Sequence, residues 1–436
     1  MALDIAKATS HPFRKMPLLF QSVRGTKDIL PNDAEILHDI ESQARILFSA
    51  YGYGEIITPI LEERDLFIRS LGKDSEVINK QMFIIERGQD LLALRPEATA
   101  GVIRAYLENN FNHIDALSKF YYFGPMFRAE RPQKGRLRQF NHLGVEAIGS
   151  LNPLLDAEVI SLADTILRKI GISGFKIKIN TLGCANDKKK FGEKLRILLK
   201  SKLSLFCSDC QERFNRNVFR LIDCKNASCR NIIAGLKLKR QDYLCKDCFE
   251  HFAAVLENLK NIGIEYEESP QIVRGLDYYT RTVFEITHSS LGAQDALGAG
   301  GRYDNLVAEL GGAPSGAIGF AFGVERLLLV SKCQSVKVSK KDLVFLITLG
   351  KEAEKEGVKL LHNLRQAGIK SDTDYENRSL KGAMRRANDL GAKHVLILGE
   401  NELKKNMVML KDMKSGEQRE VKIENIVYEC QRVIVS

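Results

Sequence analysis

The sequence predicts an α+β body built on an antiparallel sheet, a basic cysteine-rich insertion within that body, and a small C-terminal α/β domain. Three observations support this. Strand patterns in the body pair through polar turns, residues 185–249 concentrate cysteine and positive charge, and β and α patterns alternate after residue 340. We therefore expect an N-terminal extension over 1–20, a body over 21–184 and 250–332, an insertion over 185–249, and a C-terminal domain over 340–436.

The composition is that of a globular protein. At about 150 residues per domain, 436 residues predict about three folding units. The hydrophobic fraction of 44% and the charged fraction of 28% allow real cores. No run of about 18 apolar residues indicates a membrane-spanning helix, and charges interrupt the N-terminal apolar stretch as they do not in a signal peptide. We expect a soluble cytoplasmic protein with no membrane partner.

Positive charge is concentrated in two segments. The net charge is +10, residues 185–249 carry a surplus of nine, residues 337–436 a surplus of five, and the rest carries −4. Lysine and arginine surfaces gain affinity for nucleic acid by releasing counterions from its phosphates. The pattern therefore favours a phosphate-rich partner, with ordinary solvated surface charge as the alternative.

The body elements follow from local periodicity. Helical spacing of apolar residues predicts a helix over 33–51, after an N-cap at Asn32 or Asp33. Residues 117–149 contain two strand patterns joined by RPQKGRL, which predicts an antiparallel hairpin. A helix at about 155–170 and a strand in KIKINTLG follow.

Strand patterning resumes beyond the insertion. QIVRGLDYYTRTVFEIT is strand-like, and the glycine-rich LGAGGRYDNL leads to GGAPSGAIGFAFGVERLLLV, a strand that passes into an apolar helix. In the C-terminal domain, DLVFLITL, a helix with apolar positions from Ala353 to Leu364, IKSDTDY, a helix over Leu380–Leu390 and AKHVLILG alternate.

The hairpin carries the first chemical signal. Alternate residues of a strand share a face, so Arg128 points with Glu130, and Arg138 with Phe140. Buried arginines require partners, and guanidinium groups bind phosphate bidentately at any physiological pH. Arginines beside an aromatic ring thus indicate a nucleoside triphosphate, although a surface ladder of ion pairs is the alternative.

Four stretches carry a family resemblance. GPMFRAERPQKGRLRQFNHLGVE resembles motif 2 of the class II aminoacyl-tRNA synthetases, in the form of the histidyl-tRNA synthetase family. RGLDYYTRTVFE resembles the histidine-binding signature of that family, AGGRYDNL its second signature, and GAIGFAFGVERL class II motif 3. They come in the expected order, and the resemblance runs from about Arg24 to the C-terminus.

The resemblance implies ATP-dependent ligation of L-histidine to its tRNA through a histidyl-adenylate. Arg128, Arg274 and Arg326 would be catalytic. Arg128 would bind the α-phosphate of ATP, and Arg326 would bind its γ-phosphate. Arg274 would lie against the reacting α-phosphate and the histidine carboxylate. These charges would offset the negative charge that builds up during attack on phosphorus. ATP, with Mg²⁺, would also contact Glu130, Arg138 and Phe140, the last by stacking on adenine.

The same resemblance assigns a histidine site. An imidazole has two ring nitrogens, so a selective pocket needs polar partners on both sides of the ring. Family members generally have glutamine where this sequence has His142, and an imidazole offers a donor and an acceptor in a different geometry. The implied residues are Glu97, Ala98, Thr99, Arg128, His142, Glu146, Arg274, Tyr278, Tyr279 and Tyr303.

The resemblance also implies how tRNA binds. Arg131 and Gln133 of the motif 2 loop would approach the acceptor end, the C-terminal domain would read the anticodon, and cations of the insertion would contact phosphates. Two chains would form a homodimer through motif 1, the weakest of the matches, which the helix and strand ending at Pro59 resemble mainly by position.

The cysteines suggest a metal. Two C-x₂-C pairs, Cys207 with Cys210 and Cys245 with Cys248, have the spacing of a tetrahedral zinc site with four thiolates. Cys224 and Cys229 lie in the same segment, so either two of the six cysteines are spare or the ligand set is mixed. Such a site would be structural, because it leaves no open coordination position. The alternatives are reduced packing cysteines or an ancestral site that has lost its metal. Cys184, Cys333 and Cys430 are expected to be inert thiols.

Two other functions compete with the ligase. One is a catalytically silent paralogue that regulates histidine biosynthesis, although such relatives usually lack the anticodon domain and part of RGLDYY. The other is a zinc-dependent nucleic-acid-binding protein with a vestigial body. Histidine-dependent exchange of pyrophosphate into ATP distinguishes the ligase from both.

Overall fold

The computed structural model divides the chain between Lys337 and Val338 into two compact units. It describes residues 20–72, 75–133, 135–222, 224, 226–236, 240–272, 278–292, 295–333 and 342–435. The predicted extension over 1–20 lies outside the described residues except for Phe20, and Arg274 lies outside them as well.

The N-terminal unit mixes strands and helices. Its strands are β1 (Gly54–Glu55), β2 (Leu61–Glu63), β3 (Phe83–Arg87), β4 (Asp90–Leu94), β5 (Ser118–Phe127), β6 (Gln139–Ile148), β7 (Lys176–Thr181), β8 (Glu267–Glu268), β9 (Thr280–Thr287), β10 (Ala296–Arg302) and β11 (Ala317–Gly323). Its helices are α1 (Pro31–Ala50), α2 (Arg64–Leu71), α3 (Thr99–Glu108), α4 (Pro153–Lys169), α5 (Ala185–Lys200), α6 (Ser208–Arg216), α7 (Ala227–Ala234), α8 (Lys246–Asn261), α9 (Leu306–Glu309) and α10 (Val324–Cys333).

A large sheet organises this unit. The strand order in the described residues is β1-β5-β6-β11-β10-β9-β7-β8, antiparallel except for the parallel edge pairs β1–β5 and β7–β8. Helices cover the sheet, so the second half of β6 is buried and α4 packs its apolar face into one core. Asn152 caps α4 through a bond from the amide of Leu154 at 2.9 Å. The predicted α+β class with an antiparallel sheet is confirmed.

Two local features differ from the predictions. The first helix begins at Pro31, without a side-chain cap, rather than after Asn32 or Asp33. Proline has the φ angle that the first helical position needs, and it lacks the amide that a cap would satisfy. A three-stranded sheet in the order β2-β4-β3 was not predicted, because its strands are short and partly exposed.

The insertion is helical in its described residues. It contains α5, α6, α7 and the first turn of α8, connected by single helical turns. Its apolar side chains, among them Phe191, Leu195 and Phe214, belong to the same core as residues of α3. The insertion is therefore packed against the body rather than separate from it.

The C-terminal unit has its own core. Its strands are β12 (Val344–Thr348), β13 (Ser371–Thr373), β14 (His394–Leu398), β15 (Met407–Asp412) and β16 (Gln418–Lys422). Its helices are α11 (Lys351–Gln366), α12 (Leu380–Asp389), α13 (Glu400–Lys404) and α14 (Ile426–Val435). The sheet order is β13-β12-β14-β15-β16, parallel over the first three strands and antiparallel after β14. The predicted α/β alternation is confirmed.

A buried ion pair joins β10 to α4. Arg302 is 0% exposed, and its Nη1 lies 2.7 Å from Asp156 Oδ2. Its Nε also lies 3.1 Å from Asp304 Oδ1. Burial raises the pKa of Asp156 to about 6, so its carboxylate is ionised at neutral pH. The positive charge of Arg302 stabilises this ionised form.

We expect Arg302→Met to destabilise the protein. The substitution leaves a buried carboxylate without its partner, which costs about 3–5 kcal/mol of unfolding free energy. Urea unfolding followed by circular dichroism measures this loss. The double variant Arg302→Met/Asp156→Leu removes both charges of the buried pair and should recover most of it, because Asp304 still has Arg281 Nε at 3.6 Å. A double variant that is no more stable than the single one would show that the ion pair is not the cause.

Candidate active site

A polar cleft of about 1710 Å³ opens in the N-terminal unit. The hairpin of β5 and β6, strand β10, the junction of β11 with α10, and the insertion all contribute to its lining. Glycine and alanine at several lining positions of β10 and β11 leave the space open, namely Ala296, Gly298, Ala299, Gly319, Ala321 and Gly323.

Arg128 follows β5 directly at one side of the cleft. Its Nε donates to the Pro96 carbonyl oxygen at 2.8 Å, and its guanidinium carbon lies 5.3 Å from the centre of the Phe140 ring. The backbone amide of Arg128 donates to the Arg138 carbonyl oxygen at 2.9 Å, which extends the hairpin beyond its strands. The guanidinium is therefore fixed in the cleft before any ligand binds.

The polar side chains of the loop between β5 and β6 differ in whether they face the cleft. Glu130 and Arg136 line the cleft and form an ion pair at 3.1 Å. Arg131 and Gln133 are exposed, and neither belongs to the described cleft lining. Arg138 donates to the carbonyl oxygens of Glu130 and Arg24, both at 3.3 Å.

The predicted contact of Arg138 with ATP is not supported by this arrangement. Among the described residues, the cleft lining does not include Arg138, although it includes Phe140. The two side chains were predicted to share a face because both lie on one strand. Although its carbonyl oxygen continues the hairpin pairing, the chain bends at Arg138, and the side chain contacts Glu130 and Arg24 instead of sharing a face with Phe140.

Arg326 reaches the cleft from the first turn of α10. Its Nε donates to the Gly135 carbonyl oxygen at 3.0 Å, and its Nη1 to the carbonyl oxygen of Ala296. The neighbouring Glu325 accepts bonds from the backbone amide of Asn141 at 3.0 Å and from its side-chain amide at 2.9 Å. These bonds fix α10 to the hairpin, so Arg326 and Arg128 belong to the same cleft.

Carboxyl groups occupy the deep end of the cleft. Glu97 is 3% exposed and accepts bonds from the amides of Thr99 at 2.8 Å and Ala100 at 2.9 Å, at the start of α3. Burial raises the pKa of Glu97. The electropositive helix N-terminus favours its ionised form in opposition to burial.

Glu146 is surrounded by hydroxyl groups. Its Oε1 accepts from Thr99 Oγ1 at 2.7 Å and from the Tyr122 hydroxyl at 3.2 Å, and its Oε2 accepts from the Tyr303 hydroxyl. A Cβ at Gly319 would lie 2.0 Å from Glu146 Oε2, so only glycine fits there. Burial raises the pKa of Glu146 to about 8, although these hydrogen bonds act to lower it.

Three aromatic rings form the wall beside Glu146. The centres of Tyr278 and Tyr279 lie 4.7 Å apart, and Tyr303 meets Tyr278 edge to face at 5.6 Å. All three side chains are buried and line the cleft. This end of the cleft therefore suits a small planar ring that packs on the tyrosines and places a polar atom next to Glu146.

His142 stands between the two ends. Burial, with the nearby charges of Arg128, Arg95 and Arg326, lowers the pKa of His142 to about 3. Its ring is therefore neutral at physiological pH. Its buried Nδ1 has no hydrogen-bond partner among the described residues, and it lines the cleft. Such an atom is satisfied when a ligand binds.

The structure brings most of the predicted residues together. The described lining includes Glu97, Thr99, Arg128, Glu130, Phe140, His142, Glu146, Tyr278, Tyr279, Tyr303 and Arg326. Ala98 is buried behind the cleft and is absent from that lining.

Several lining residues were missed from the sequence. Tyr122 donates to Glu146, and Glu285 of β9 adds a carboxylate to the cleft. The insertion adds Arg213, Arg216, Arg220 and Arg230. Its basic composition was the available signal, but composition does not show which surface its arginines would face.

The cysteines and one aspartate form two clusters. The distal cluster contains Cys207, Cys210, Cys224 and Cys229, and the base cluster contains Cys184, Asp187, Cys245 and Cys248. Within each cluster, the candidate ligand atoms all lie within 4.8 Å of one another. The eight described cysteines whose side chains are placed form no disulfide.

The predicted grouping of the two C-x₂-C pairs is therefore wrong. Cys207 and Cys210 begin α6, whereas Cys245 and Cys248 begin α8, and the fold directs the two helix ends to different places. Cys184, predicted to be isolated, lies in the base cluster. Spacing along the chain identifies a pair of ligands but not its partner pair.

None of the helices in the described residues has the length and apolar character needed to cross a membrane.

Comparisons with known proteins agree on one family. A family model described as histidyl-tRNA synthetase matches residues 25–188 and 216–327, and a model of an anticodon binding domain matches residues 343–432. The chain is 42% identical to the histidine–tRNA ligase of Natranaerobius thermophilus over 94% of this chain and 98% of that protein. Identity to the ligase of Halothermothrix orenii is also 42%, over 94% and 99%.

The fold comparison agrees. The apo histidyl-tRNA synthetase of S. aureus superimposes with a TM-score of 0.79 at 36% identity, covering 95% of this chain and 100% of that one. The histidyl-tRNA synthetase of Nostoc sp. PCC 7120 matches with a TM-score of 0.70 over 95% and 99%, and at 22% identity this shows the fold alone.

Proposed function

Since this chain belongs to the histidyl-tRNA synthetase family, we propose that it joins L-histidine to its cognate tRNA at the expense of ATP. The supporting observation is one cleft with Arg128 and Arg326 on one side and a carboxyl-and-tyrosine pocket around Glu146 on the other. Histidine-dependent exchange of labelled pyrophosphate into ATP tests the proposal, and an absence of exchange would contradict it.

The first step forms histidyl-adenylate. A carboxylate oxygen of histidine attacks the α-phosphorus, the bond from that phosphorus to its bridging oxygen breaks, and pyrophosphate leaves. Arg128 binds the α-phosphate, Phe140 stacks on adenine near Glu130, and Arg326 binds the γ-phosphate. These guanidinium groups stabilise the charge of the transition state and require no covalent enzyme intermediate. Arg274 takes the role that the resemblance implies, which is contact with the reacting α-phosphate and the histidine carboxylate.

The second step transfers histidine to tRNA. A hydroxyl oxygen of the terminal adenosine attacks the carbonyl carbon of the adenylate, and AMP leaves. ATP would enter with Mg²⁺, and Glu285 in the cleft lining would supply a carboxylate oxygen, the kind of ligand that Mg²⁺ prefers.

The imidazole binds in the pocket around Glu146. Glu146 contacts one ring nitrogen, Tyr278, Tyr279 and Tyr303 form the wall, and Glu97 with Thr99 receives the α-amino group. His142 stands where relatives have glutamine, and its ring is neutral. Its Nδ1, which has no hydrogen-bond partner among the described residues, bonds the α-carboxylate or the amino group of the bound histidine. Analogues without the ring nitrogens are rejected because these buried groups would lose their partners.

Transfer RNA contacts several basic surfaces. Arg131 and Gln133, exposed on the hairpin loop, approach the acceptor end. The arginines of the insertion contact phosphates near it, which position the tRNA without specifying its sequence. The C-terminal unit reads the anticodon, in keeping with its match to the anticodon binding domain.

Deleting residues 338–436 should separate the two steps. The N-terminal unit has its own cores and contains the whole cleft, so histidine-dependent pyrophosphate exchange should persist. Charging of tRNA, measured with labelled histidine, should fall strongly because the anticodon contacts are lost. Equal loss of both reactions would contradict the role of the C-terminal unit.

We also propose a cytoplasmic homodimer that uses the motif 1 region. Ile57, Ile60 and Leu61 lie beside β1 and are 82%, 41% and 42% exposed. Apolar side chains that are exposed together mark surfaces for association. Free thiols in the described residues suit a reducing compartment.

The distal cluster binds one structural zinc. Cys207 Sγ and Cys224 Sγ lie 3.9 Å apart, close to the separation of about 3.8 Å expected for ligands at ~2.3 Å in a tetrahedron. The amide of Cys207 donates to Cys229 Sγ at 3.3 Å, a bond that orients a thiolate ligand.

Cys210→Ser should remove this zinc. Mass spectrometry of metals in purified protein, dialysed against metal-free buffer, should show one equivalent fewer than in the unmodified chain. Cys430→Ser, which changes a buried thiol of the C-terminal unit, is the control and should lose none. Unmodified protein without zinc would contradict this assignment.

A further inference from the structure

The base cluster lies where the insertion leaves and rejoins the body. Cys184 follows β7, and Asp187 lies in the first turn of α5. Cys245 and Cys248 belong to the start of α8. Their ligand atoms lie within 4.8 Å of one another, although about 60 residues of chain separate the two pairs. The cluster therefore joins both ends of the insertion at one point.

All three C-x₂-C or C-x₂-D pairs share one local geometry. Cys184 is the N-cap residue of α5 and Asp187 its third residue, and Cys245 and Cys248 hold the same positions in α8. In the distal cluster, Cys207 and Cys210 do so in α6. Helix N-termini favour thiolates and other anions. The segment from Cys184 to Asp187 is thus a ligand pair in which aspartate replaces the second cysteine.

Asp187 is held as a metal ligand would be. It is 0% exposed, its Oδ2 accepts from the amide of Cys184 at 3.3 Å, and its Oδ1 accepts from the amide of Cys245 at 3.0 Å. Each carboxylate oxygen has two lone pairs, so these bonds leave acceptor capacity toward the thiols. Outer hydrogen bonds of this kind orient ligands around a metal.

The backbone around the cluster is closely packed. Gly183 has φ +71°, and a Cβ there would lie 2.4 Å from the Asp187 Cβ and 2.8 Å from Leu244 Cδ2. The Arg281 amide donates to the Gly183 carbonyl oxygen at 2.8 Å, and Lys188 Nζ donates to the Tyr279 carbonyl oxygen at 2.9 Å. The cluster therefore adjoins the segment that leads to the tyrosine wall of the cleft.

We propose that Cys184, Asp187, Cys245 and Cys248 bind a second structural zinc. Three thiolates and one carboxylate form a complete tetrahedral set for Zn²⁺. On binding, the three thiols release their protons to solvent, and the two helix N-termini offset the excess negative charge of the four ligands. The ion fastens the insertion to the end of β7, separately from the zinc of the distal cluster.

The first experiment counts metal. Full-length protein from zinc-supplemented cells, dialysed against metal-free buffer, should contain two zinc equivalents. Cys248→Ser and Asp187→Asn should each reduce this to one, and Asp187→Cys should retain two. Asp209→Asn is the matched control, because it changes an exposed aspartate in the first turn of α6, and it should retain two.

The second experiment uses unmodified protein and does not depend on the folding of variants. Cys184 and Cys245 are partly exposed and would react readily with a thiol reagent if no metal were bound. Peptide mapping by mass spectrometry should show both protected until a chelator removes zinc. A zinc equivalent that is lost in Cys248→Ser but retained in Cys210→Ser supports the second site, whether or not the distal cluster also holds zinc. Unchanged zinc in Cys248→Ser, or labelling of Cys184 and Cys245 before chelation, overturns the proposal.

Discussion

Arg128→Ala should lower the rate of histidine-dependent pyrophosphate exchange by about 10²–10³-fold, the usual cost of removing one preorganised donor from a transition state. Arg128 is held by the Pro96 carbonyl oxygen and lies over Phe140 without any ligand present. The wild-type enzyme therefore spends no energy on orienting this charge during the reaction. The loss should fall mainly on kcat, because negative charge on the α-phosphate increases in the transition state.

Arg138→Gln is the matched control for this prediction. It removes a positive charge from the same hairpin and keeps a donor for the Glu130 carbonyl oxygen, which Arg138 Nε contacts at 3.3 Å. Because Arg138 lies outside the described cleft lining, the variant should retain most of the exchange activity. Equal losses in the Arg128 and Arg138 variants would show that overall hairpin charge, rather than the position of Arg128, supports the reaction.

The predictable part of the fold depends on local periodicity. The hairpin of β5 and β6, helix α4 and the strands β12 and β14 of the C-terminal unit have apolar patterns long enough to define them. β2 and β3 do not, because they are short and partly exposed. The pairing of β2 with β4 is a tertiary contact that no local pattern encodes. β3 and β4, in contrast, form a hairpin through Gly88 and Gln89, with Gly88 at φ +63°, and this local turn signal was overlooked.

The same limit applies to the site. The motifs that carry the family resemblance contain Arg128, Glu146 and Arg326, and all three line the cleft. The contact of Arg138 with ATP was predicted from strand alternation, but the chain bends at Arg138, directly before β6 begins, and its guanidinium donates to the carbonyl oxygens of Glu130 and Arg24. The two C-x₂-C pairs were assigned to one site, whereas they lie in different clusters. The packing of the insertion against the body determines where the starts of α6 and α8 lie in space, and the spacing of the cysteines along the chain does not encode it. Asp187 was overlooked because a C-x₂-D pair resembles an ordinary helix start.

Glu146→Gln should raise the KM for histidine by about 10- to 150-fold, which corresponds to about 1.5–3 kcal/mol for a hydrogen bond to a charged group. Three hydroxyl groups donate to the Glu146 carboxyl group, from Thr99, Tyr122 and Tyr303. A carboxylate has about four lone-pair positions, so one remains for the proton that Glu146 shares with an imidazole nitrogen. Glutamine preserves the shape of the side chain but not this proton.

The pH dependence of kcat/KM for histidine should show the same shared proton. Burial raises the pKa of Glu146 to about 8, and free imidazole has a pKa of about 6.5. Between these values, free enzyme and histidine together carry the one proton that the complex needs. Below about 6.5 histidine carries an additional proton, and above about 8 Glu146 has lost its own. The value should therefore be highest between the two pKa values and fall on either side.

Glu130→Gln separates this effect from other alkaline titrations. It makes the same chemical change in the same cleft, at the end that pairs with Arg136. The variant should raise the KM for ATP while keeping the fall in kcat/KM for histidine above about pH 8. Deprotonation of the α-amino group of histidine affects both variants equally, so the difference between their profiles isolates Glu146. If Glu146→Gln keeps the alkaline limb at about 8, that limb arises from another group and Glu146 does not share the proton of the imidazole.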